Sequence, residues 1–92
     1  MVWLMIKKDI RVINELGIHA RPAGMLADTA SKFTCELKLI KDKMEVNCKS
    51  IMGILTLAAG FGVTLTVVAS GKDEAAAVAA IERLFAGKFD EE

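Results

Sequence analysis

Hydrophobic and polar residues alternate along four stretches of the chain. Residues 5–13, 35–39, 44–48 and 63–69 place apolar side chains at about every second position, with mostly polar or charged side chains between them. This period of two is typical of β-strands that bury one face. We therefore expect four half-buried strands, and the short polar connection at 41–43 predicts that the second and third strands form a hairpin.

Three further stretches have the spacing of helices. The first helix is expected from Ala20, and the second is a short apolar helix from Ser50 to residue 58 or 59. Residues 70–73 have the spacing of a helix N-terminus with an acidic side chain in the first turn, and this last helix is expected to end at Gly87. The inward-facing residues predicted for the first and last helices are Pro22, Leu26, Thr29 or Ala30, Phe33, Val78, Ile81, Leu84 and Phe85.

These elements follow the order strand, helix, strand, strand, helix, strand, helix. Strands and helices that each have one apolar face bury those faces against one another. The prediction is a single α+β domain over residues 1–92, in which a four-stranded sheet is covered on one face by three helices. The alternation does not predict the order of the strands within the sheet.

The composition supports an ordered chain and argues against one class of partner. Of the 92 residues, 53% are hydrophobic, so burial can offset the entropy lost on folding, which excludes intrinsic disorder. Twelve basic residues balance twelve acidic ones, which leaves no net positive charge to bind a nucleic acid backbone. With four Phe, one Trp and no Tyr, a base-stacking surface is not expected either. Nucleic acid is therefore not an expected partner.

Cys35 and Cys48 are the two cysteines, and His19 is the single histidine. A structural zinc site needs four such ligands at close spacing. We therefore expect no metal and no cofactor. Both cysteines are interpreted as small buried hydrophobic residues in a protein of the reducing cytoplasm.

Residues 50–70 contain no charged side chain and are numerous enough to span a bilayer. Their three glycines, three threonines and strand-like second half instead indicate a short helix, a glycine turn and a strand. The apolar residues 1–6 are followed by charged residues, whereas a signal peptide has its charge first. No membrane insertion is expected.

Candidate chemistry is concentrated at His19, where the first loop meets the first helix. Pro22 is typical of a first helical turn, because the backbone amides there have no partner within the helix. The amides of Ala20, Arg21 and Ala23 are therefore expected to be free to bind an anion, helped by the positive end of the helix dipole. The Arg21 guanidinium suits phosphate oxygens, and a neutral imidazole is a nucleophile. These residues predict a histidine that can be phosphorylated, and a histidine that only caps the helix is the alternative.

Two motifs resemble those of one protein family. Residues 17–23, Gly-Ile-His-Ala-Arg-Pro-Ala, resemble the active centre of HPr, the histidine-containing phosphocarrier of the bacterial sugar phosphotransferase system. Residues 49–53, Lys-Ser-Ile-Met-Gly, resemble the regulatory serine motif of that family, and Ser50 follows His19 by 31 residues, as in typical members. The resemblance extends from Met5 to the end, which makes residues 1–4 an N-terminal extension. It implies an HPr-like open-faced β-sandwich with an antiparallel sheet.

The resemblance implies a role for each of these residues. His19 would accept a phosphoryl group on Nδ1 from Enzyme I and pass it to the IIA domain of a sugar permease. The protein would then be a carrier that is transiently phosphorylated, rather than a stand-alone catalyst. Arg21 would neutralise the phosphate, and the backbone amides of Ala20 and Arg21 would hold it. Ser50 would be the target of HPr kinase/phosphorylase, the alternative being a serine that only caps the second helix.

The residues around Ser50 are expected to dock partner proteins. Ile51 and Met52 begin a helix that is too short to bury its whole circumference, so we expect their apolar side chains to be exposed. Together with Lys49 and Gly53 they form the surface with which the resemblance implies binding of Enzyme I and of IIA domains. A monomer is expected.

Two other functions remain open. Residues 14–17 and 89–92 look more like nitrogen-branch relatives (NPr), which implies a regulatory phosphocarrier with the same histidine chemistry as the alternative. A ligand-sensing α+β module that dimerises through its sheet is the third hypothesis. Such a module has no need of the motif around His19.

Overall fold

Four strands and three helices follow one another in the predicted order. The computed structural model describes residues 5–91, and the predicted extension at residues 1–4 lies outside them. The elements are β1 (Ile6–Arg11), α1 (Ala20–Ala30), β2 (Glu36–Lys41), β3 (Met44–Asn47), α2 (Ile51–Thr56), β4 (Thr64–Ser70) and α3 (Glu74–Ala86). After α3 the chain forms a short turn at Lys88–Asp90.

All four strands pair antiparallel in one sheet, in the order β1-β4-β2-β3. The last strand in sequence, β4, is therefore internal and pairs with β1 on one side and β2 on the other. The predicted hairpin of β2 and β3 is confirmed, and its register pairs Lys41 with Met44 across the connection. The sheet therefore places the first and the last strand in sequence, β1 and β4, next to each other.

One face of this sheet is covered by the three helices, as predicted. Alternate residues of β2 and β4 form the inner layer of the core because successive side chains of a strand point to opposite faces. Helix residues that are fully buried against this layer come from α1, α2 and α3. The core includes Leu37, Leu39, Leu65 and Val67 from the strands and Leu26, Ile54 and Ile81 from the helices, all 0–2% exposed.

Three helix ends differ from their predicted positions. Helix α1 ends at Ala30, so Phe33, predicted on its inward face, lies after the helix and is only partly buried against the core. Helix α2 ends at Thr56 rather than near residue 58, because Ala58 adopts a left-handed backbone (φ 50°) that a helix cannot contain. The Lys41 ammonium donates to the carbonyls of Leu57 and Ala58 at 2.9 and 3.3 Å, which satisfies this helix end. Helix α3 begins only at Glu74, later than the predicted start within 70–73.

The uncharged segment 50–70 folds as α2, a turn and β4, as the sequence predicts. The longest of the three helices, α3, has 13 residues. Within residues 5–91, no helix combines the length and the apolar character that crossing a membrane requires.

Both cysteines are buried free thiols, which confirms their interpretation as small core residues. Burial raises the pKa of the Cys48 thiol to about 12. Burial and the neighbouring Asp73 carboxylate raise the pKa of Cys35 to about 11. Because the thiolate is the reactive form, both side chains are chemically inert in the folded protein.

The carboxylate of Asp73 makes the folding stability depend on pH. It accepts hydrogen bonds from the backbone amides of Thr34 and Cys35 at 2.8 and 2.9 Å, which ties the α1–β2 loop to the start of α3. The bond from the Thr34 amide is the main cause that lowers the pKa of Asp73. A carboxyl group with a lowered pKa in the folded state stabilises the fold above its unfolded pKa, and this stabilisation is lost as the pH falls through the folded value.

We therefore expect Asp73→Asn to lower the stability at pH 7 and to flatten its fall between pH 5 and 3. Urea unfolding midpoints of the wild type and the variant across this range provide the measurement. Asp28→Asn is the matched control, because Asp28 is exposed on α1 and the substitution makes the same charge change. If the Asp73→Asn midpoint falls with acid as steeply as that of the wild type, the carboxylate does not carry this pH dependence.

Candidate functional site

His19 occupies the N-cap of α1, immediately before the first helical residue. Its backbone is extended (φ −85°, ψ −166°), and its carbonyl accepts a hydrogen bond from the Ala23 amide at 3.0 Å. The prediction that the Ala23 amide is free is therefore wrong, because the N-cap carbonyl already accepts the first intrahelical bond. Because Pro22 has no N–H, the first-turn amides without an intrahelical acceptor are those of Ala20 and Arg21. The His19 side chain is 39% exposed at this helix end. The helix therefore begins where the sequence predicts, with donors available to an anion.

The loop before His19 is held against the loop between α2 and β4. The Ile18 amide donates to the Ala59 carbonyl at 2.8 Å. Gly17 lies so close to this loop that an added Cβ would stand 2.7 Å from the Ala59 oxygen and 2.8 Å from Gly60 Cα. Its φ of 71° is also in the left-handed region. Glycine at position 17 is thus required for the approach that places His19.

Glu91, near the end of the chain, reaches the imidazole ring of His19. Its Oε2 lies 2.6 Å from His19 Nε2, and its Oε1 accepts a hydrogen bond from Asn14 Nδ2 at 3.0 Å. The Glu91 side chain is only 14% exposed. The hydrogen bond from Asn14 is the main cause that lowers the pKa of Glu91, followed by the bond and the charge of His19. The group is therefore a carboxylate at neutral pH.

Sequence reasoning did not find Asn14 or Glu91 as members of this site. The sequence of residues 14–17 and 89–92 indicates only a likeness to the nitrogen-branch relatives. One feature of the sequence does point to this segment. Phe89, a residue of a type that is usually buried, is followed directly by three acidic residues. A phenylalanine in that position predicts that the terminus returns to the core.

Arg21 is also engaged by the terminal segment. Its Nη1 donates to the Phe89 carbonyl at 2.7 Å and lies 3.6 Å from Glu91 Oε2. The Arg21 side chain remains 53% exposed. The guanidinium therefore lies on the same side of the α1 N-terminus as His19, where the sequence analysis expects it, and contacts carbonyl and carboxylate oxygens.

The terminal segment reaches this site through a left-handed turn. Lys88, Phe89 and Asp90 have φ values of 54°, 53° and 60°. A left-handed conformation costs roughly 1–2 kcal/mol for each residue that has a Cβ. The Phe89 ring offsets part of this cost, because it is 1% exposed and packs edge-to-face on Phe85 with ring centroids 5.0 Å apart. Burial of such a side chain contributes about 1.5–3 kcal/mol.

Ser50 occupies the N-cap of α2. Its Oγ accepts a hydrogen bond from the Gly53 amide at 3.0 Å, which satisfies one donor of the first turn. The preceding Lys49 extends its ammonium to the Phe33 carbonyl at 2.8 Å. Ile51 is 46% and Met52 74% exposed, as the short helix predicts.

A shallow depression separates Ser50 from α1. Its α1 side includes Gly24 and Asp28, and its α2 side includes Ser50 and Met52. Gly24 lies five residues after His19, which is about 7.5 Å along a helix axis. The predicted residues thus form two groups. One lies around His19 at the N-terminus of α1, and the other lies around Ser50 at the N-terminus of α2, which borders Gly24 and Asp28 of α1.

The geometry around His19 suits the binding of a phosphoryl group to a ring nitrogen. The ring is half-exposed, two backbone amides and a guanidinium lie at the same helix end, and the Glu91 carboxylate lies close to both the ring and the guanidinium. Backbone amides and arginine stabilise phosphate oxygens through charge-assisted hydrogen bonds.

Comparison with known proteins gives one consistent result. The family described as the PTS HPr component phosphorylation site matches residues 6–87. The phosphocarrier protein HPr of Treponema pallidum (strain Nichols) is 50% identical over 88 residues, which cover 96% of this chain and all of that protein.

Solved structures agree with this family. The crystal structure of HPr-C-His from Thermoanaerobacter tengcongensis has a TM-score of 0.91 at 41% identity, covering 95% of this chain and 98% of that one. HPr from Bacillus anthracis str. Ames has a TM-score of 0.84 at 36% identity, covering 88% and 96%. The fold, the motif around His19 and these relatives together show that the chain belongs to the HPr family of phosphocarrier proteins of the phosphotransferase system.

Proposed function

We propose that this protein carries phosphoryl groups in the phosphoenolpyruvate-dependent sugar phosphotransferase system. In this proposal His19 accepts the group from Enzyme I and passes it to the IIA domains of sugar permeases. The observation that carries the proposal is the half-exposed His19 ring at the N-terminus of α1, next to two amides that have no intrahelical acceptor.

The same helix end supports the phosphorylated state. A phosphoryl group on His19 brings negative charge to the positive end of the α1 dipole, where the amides of Ala20 and Arg21 can donate to its oxygens. The Arg21 guanidinium is exposed enough to turn from the Phe89 carbonyl toward these oxygens. Each transfer moves one phosphoryl group, so the protein is a carrier that returns to its starting state.

The proposal is tested by incubating the protein with Enzyme I, phosphoenolpyruvate and Mg²⁺ and recording its intact mass. We expect the mass of one added phosphoryl group, removed by mild acid because a P–N bond is acid-labile. No acid-labile addition under conditions in which another HPr is fully phosphorylated would overturn the proposal.

We expect Arg21→Ala to slow phosphorylation of His19 by about 10-fold, equivalent to about 1.4 kcal/mol of transition-state stabilisation. Stability should change by less than about 1 kcal/mol, because the side chain is half-exposed and has one hydrogen bond to a carbonyl. Transfer rates and urea midpoints are compared with those of Arg83→Ala, which removes an exposed arginine of α3. A lowered midpoint with a normal transfer rate would make Arg21 a structural residue.

The surface around Ser50 supports a regulatory and docking role in the same proposal. Ser50 is assigned as the target of HPr kinase/phosphorylase, and Lys49, Ile51, Met52 and Gly53 as residues that bind Enzyme I and IIA domains. The exposed apolar side chains of Ile51 and Met52 support docking, because methionine adapts its shape to different partners.

We place the protein in the cytoplasm as a monomer. Two buried free thiols are consistent with a reducing compartment. Four of the six residues of the edge strand β1 are charged, and charged edge strands resist pairing with another sheet.

A regulatory phosphocarrier of the nitrogen branch is the second candidate. The observation that favours it is that Asn14 and Glu91, which contact each other beside His19, belong to the two segments that resemble that branch. The two candidates are separated by comparing phosphorylation rates with a sugar-type and a nitrogen-type Enzyme I. Preference for the nitrogen-type enzyme would replace the first candidate with the second.

A further inference from the structure

Asn14, Glu91 and His19 form a continuous chain of hydrogen bonds. The Asn14 side chain is fully buried, and its Nδ2 lies 2.7 Å from the Gly17 carbonyl and 3.0 Å from Glu91 Oε1. Both of these partners are acceptors, so the amide must present its NH2 group to them. The orientation of Asn14 is thereby fixed, and Asn14 in turn fixes Glu91.

The contact between Glu91 and His19 determines which ring nitrogen holds the proton. A carboxylate has only acceptors, so the 2.6 Å contact with His19 Nε2 requires an N–H at that nitrogen. In a neutral imidazole the other nitrogen, Nδ1, then has the free electron pair. The lowered pKa of Glu91 keeps its carboxyl ionised at neutral pH.

We propose that Glu91, oriented by Asn14, is a positioning residue that holds His19 as the Nε2–H tautomer and so makes Nδ1 the nucleophile. This inference rests on the proposed function, because it concerns the same histidine. Glu91 lies beyond residues 6–87, which the match to the HPr component phosphorylation site covers, so that match does not itself include this residue.

In this arrangement every bond and proton of the phosphoryl transfer is accounted for. The Nδ1 electron pair forms a bond to phosphorus while the bond from phosphorus to its donor atom on Enzyme I breaks, and that electron pair returns to the donor. The Nε2 proton stays on the ring throughout. The phosphorylated ring then has a positive charge shared by its two nitrogens, and the Glu91 carboxylate neutralises it, as the aspartate of a Ser-His-Asp triad does for imidazolium.

The tautomer can be measured without Enzyme I. We propose ¹⁵N NMR of the His19 ring at about pH 8.5, roughly two units above the usual histidine pKa. The wild type should show the Nε2–H form alone. Glu91→Ala removes the acceptor, so both tautomers should become populated.

Glu91→Gln should invert the tautomer. Glutamine has the same length but one oxygen and one NH2 group, and the NH2 group of Asn14 requires the oxygen. The glutamine NH2 group would then face His19 Nε2 and donate to it, which places the ring proton on Nδ1. Asp90→Asn is the matched control, because it removes one negative charge from an exposed neighbouring residue, and asparagine tolerates a left-handed backbone.

The transfer rate should follow the tautomer. We expect Glu91→Gln to slow phosphorylation of His19 by Enzyme I about 10-fold or more, with Asp90→Asn close to the wild type, because groups that orient a histidine typically contribute 10–100-fold. Urea midpoints of all variants show whether each folds.

The inference is overturned if Glu91→Gln keeps the wild-type tautomer, even if its stability falls. It is also overturned if Glu91→Ala is phosphorylated faster than the wild type, since the carboxylate would then act by repelling the incoming phosphoryl group. A wild type that shows the Nε2–H form but receives no phosphate from Enzyme I would instead refute the proposed function. The two failures are therefore distinguishable.

Discussion

His19→Ala is expected to abolish acid-labile phosphorylation by Enzyme I and phosphoenolpyruvate. His19 is the only histidine in the chain, so no second imidazole can replace it. Backbone amides at the α1 N-terminus bind an anion but cannot form a bond to phosphorus, and their contribution is lost without the nucleophile. Intact mass before and after mild acid treatment measures the result.

The variant should remain folded. The His19 side chain makes no capping bond to α1, and its contact with Glu91 is replaceable by water at this half-exposed position. We expect the loss of stability to be about 1 kcal/mol, as for one hydrogen bond to a charged group at a partly exposed site. Full acid-labile incorporation in a folded His19→Ala protein would show that another residue is the acceptor.

The sequence predicts those parts of the fold that depend on local pattern. Each strand of the sheet buries one face, so a period of two is visible in β2 and β4. Lys8 breaks that pattern in β1, where it stands between Ile6 and Ile10 on the same face. The structure gives the reason: the Lys8 ammonium forms an ion pair with Glu82 of α3 at 3.2 Å, at the edge of the sheet.

Contacts between distant residues are not predicted by local pattern. Asp73 is the last residue of the stretch 70–73 that resembles a helix N-terminus, but its carboxylate accepts from the amides of Thr34 and Cys35, 39 and 38 residues away. The helix consequently begins later than expected. The strand order likewise depends on contacts between strands that are distant in sequence. The alternation of apolar and polar residues does not predict such contacts.

The candidate site likewise includes residues that the local sequence identifies and one that it does not. His19 and Arg21 are identified by a short motif whose chemistry is local to one helix end. Glu91 is 72 residues from His19 in sequence, and it reaches the ring through the left-handed turn that Phe89 anchors. A positive φ at three successive residues other than glycine runs against local preference, so the turn cannot be predicted from the terminal sequence alone.

Ser50→Asp is expected to slow phosphorylation of His19 by Enzyme I by roughly 30-fold at low salt. Ser50 borders the depression between α1 and α2, and the exposed Ile51 and Met52 follow it, so a carboxylate here places charge on the proposed docking surface. Like charges brought together at an interface cost several kcal/mol, and one carboxylate accounts for about 2 kcal/mol of such a penalty. Asp28 and Lys49, which have opposite charges, both line this depression, and the substitution adds one negative charge to it.

The fold should tolerate this change. Aspartate is as good an N-cap as serine, and its charge is favourable at the positive end of α2. Ser50→Asn is the matched control, because it has nearly the same shape and capping ability without the charge. We expect its transfer rate to be close to that of the wild type, which separates the effect of charge from that of size.

Ionic strength separates weaker docking from slower chemistry. Charges on an exposed surface are screened within about 10 Å at 0.1 M salt and about 3 Å at 1 M. The difference between Ser50→Asp and Ser50→Asn should therefore shrink as salt is raised, and it should appear at Enzyme I concentrations below saturation. A phosphoserine has about −1.5 to −2 charges, so it should have a larger effect than aspartate. Equal rates for the two variants at low salt would make Ser50 only the cap of α2 and would remove regulation at this residue from the proposed function.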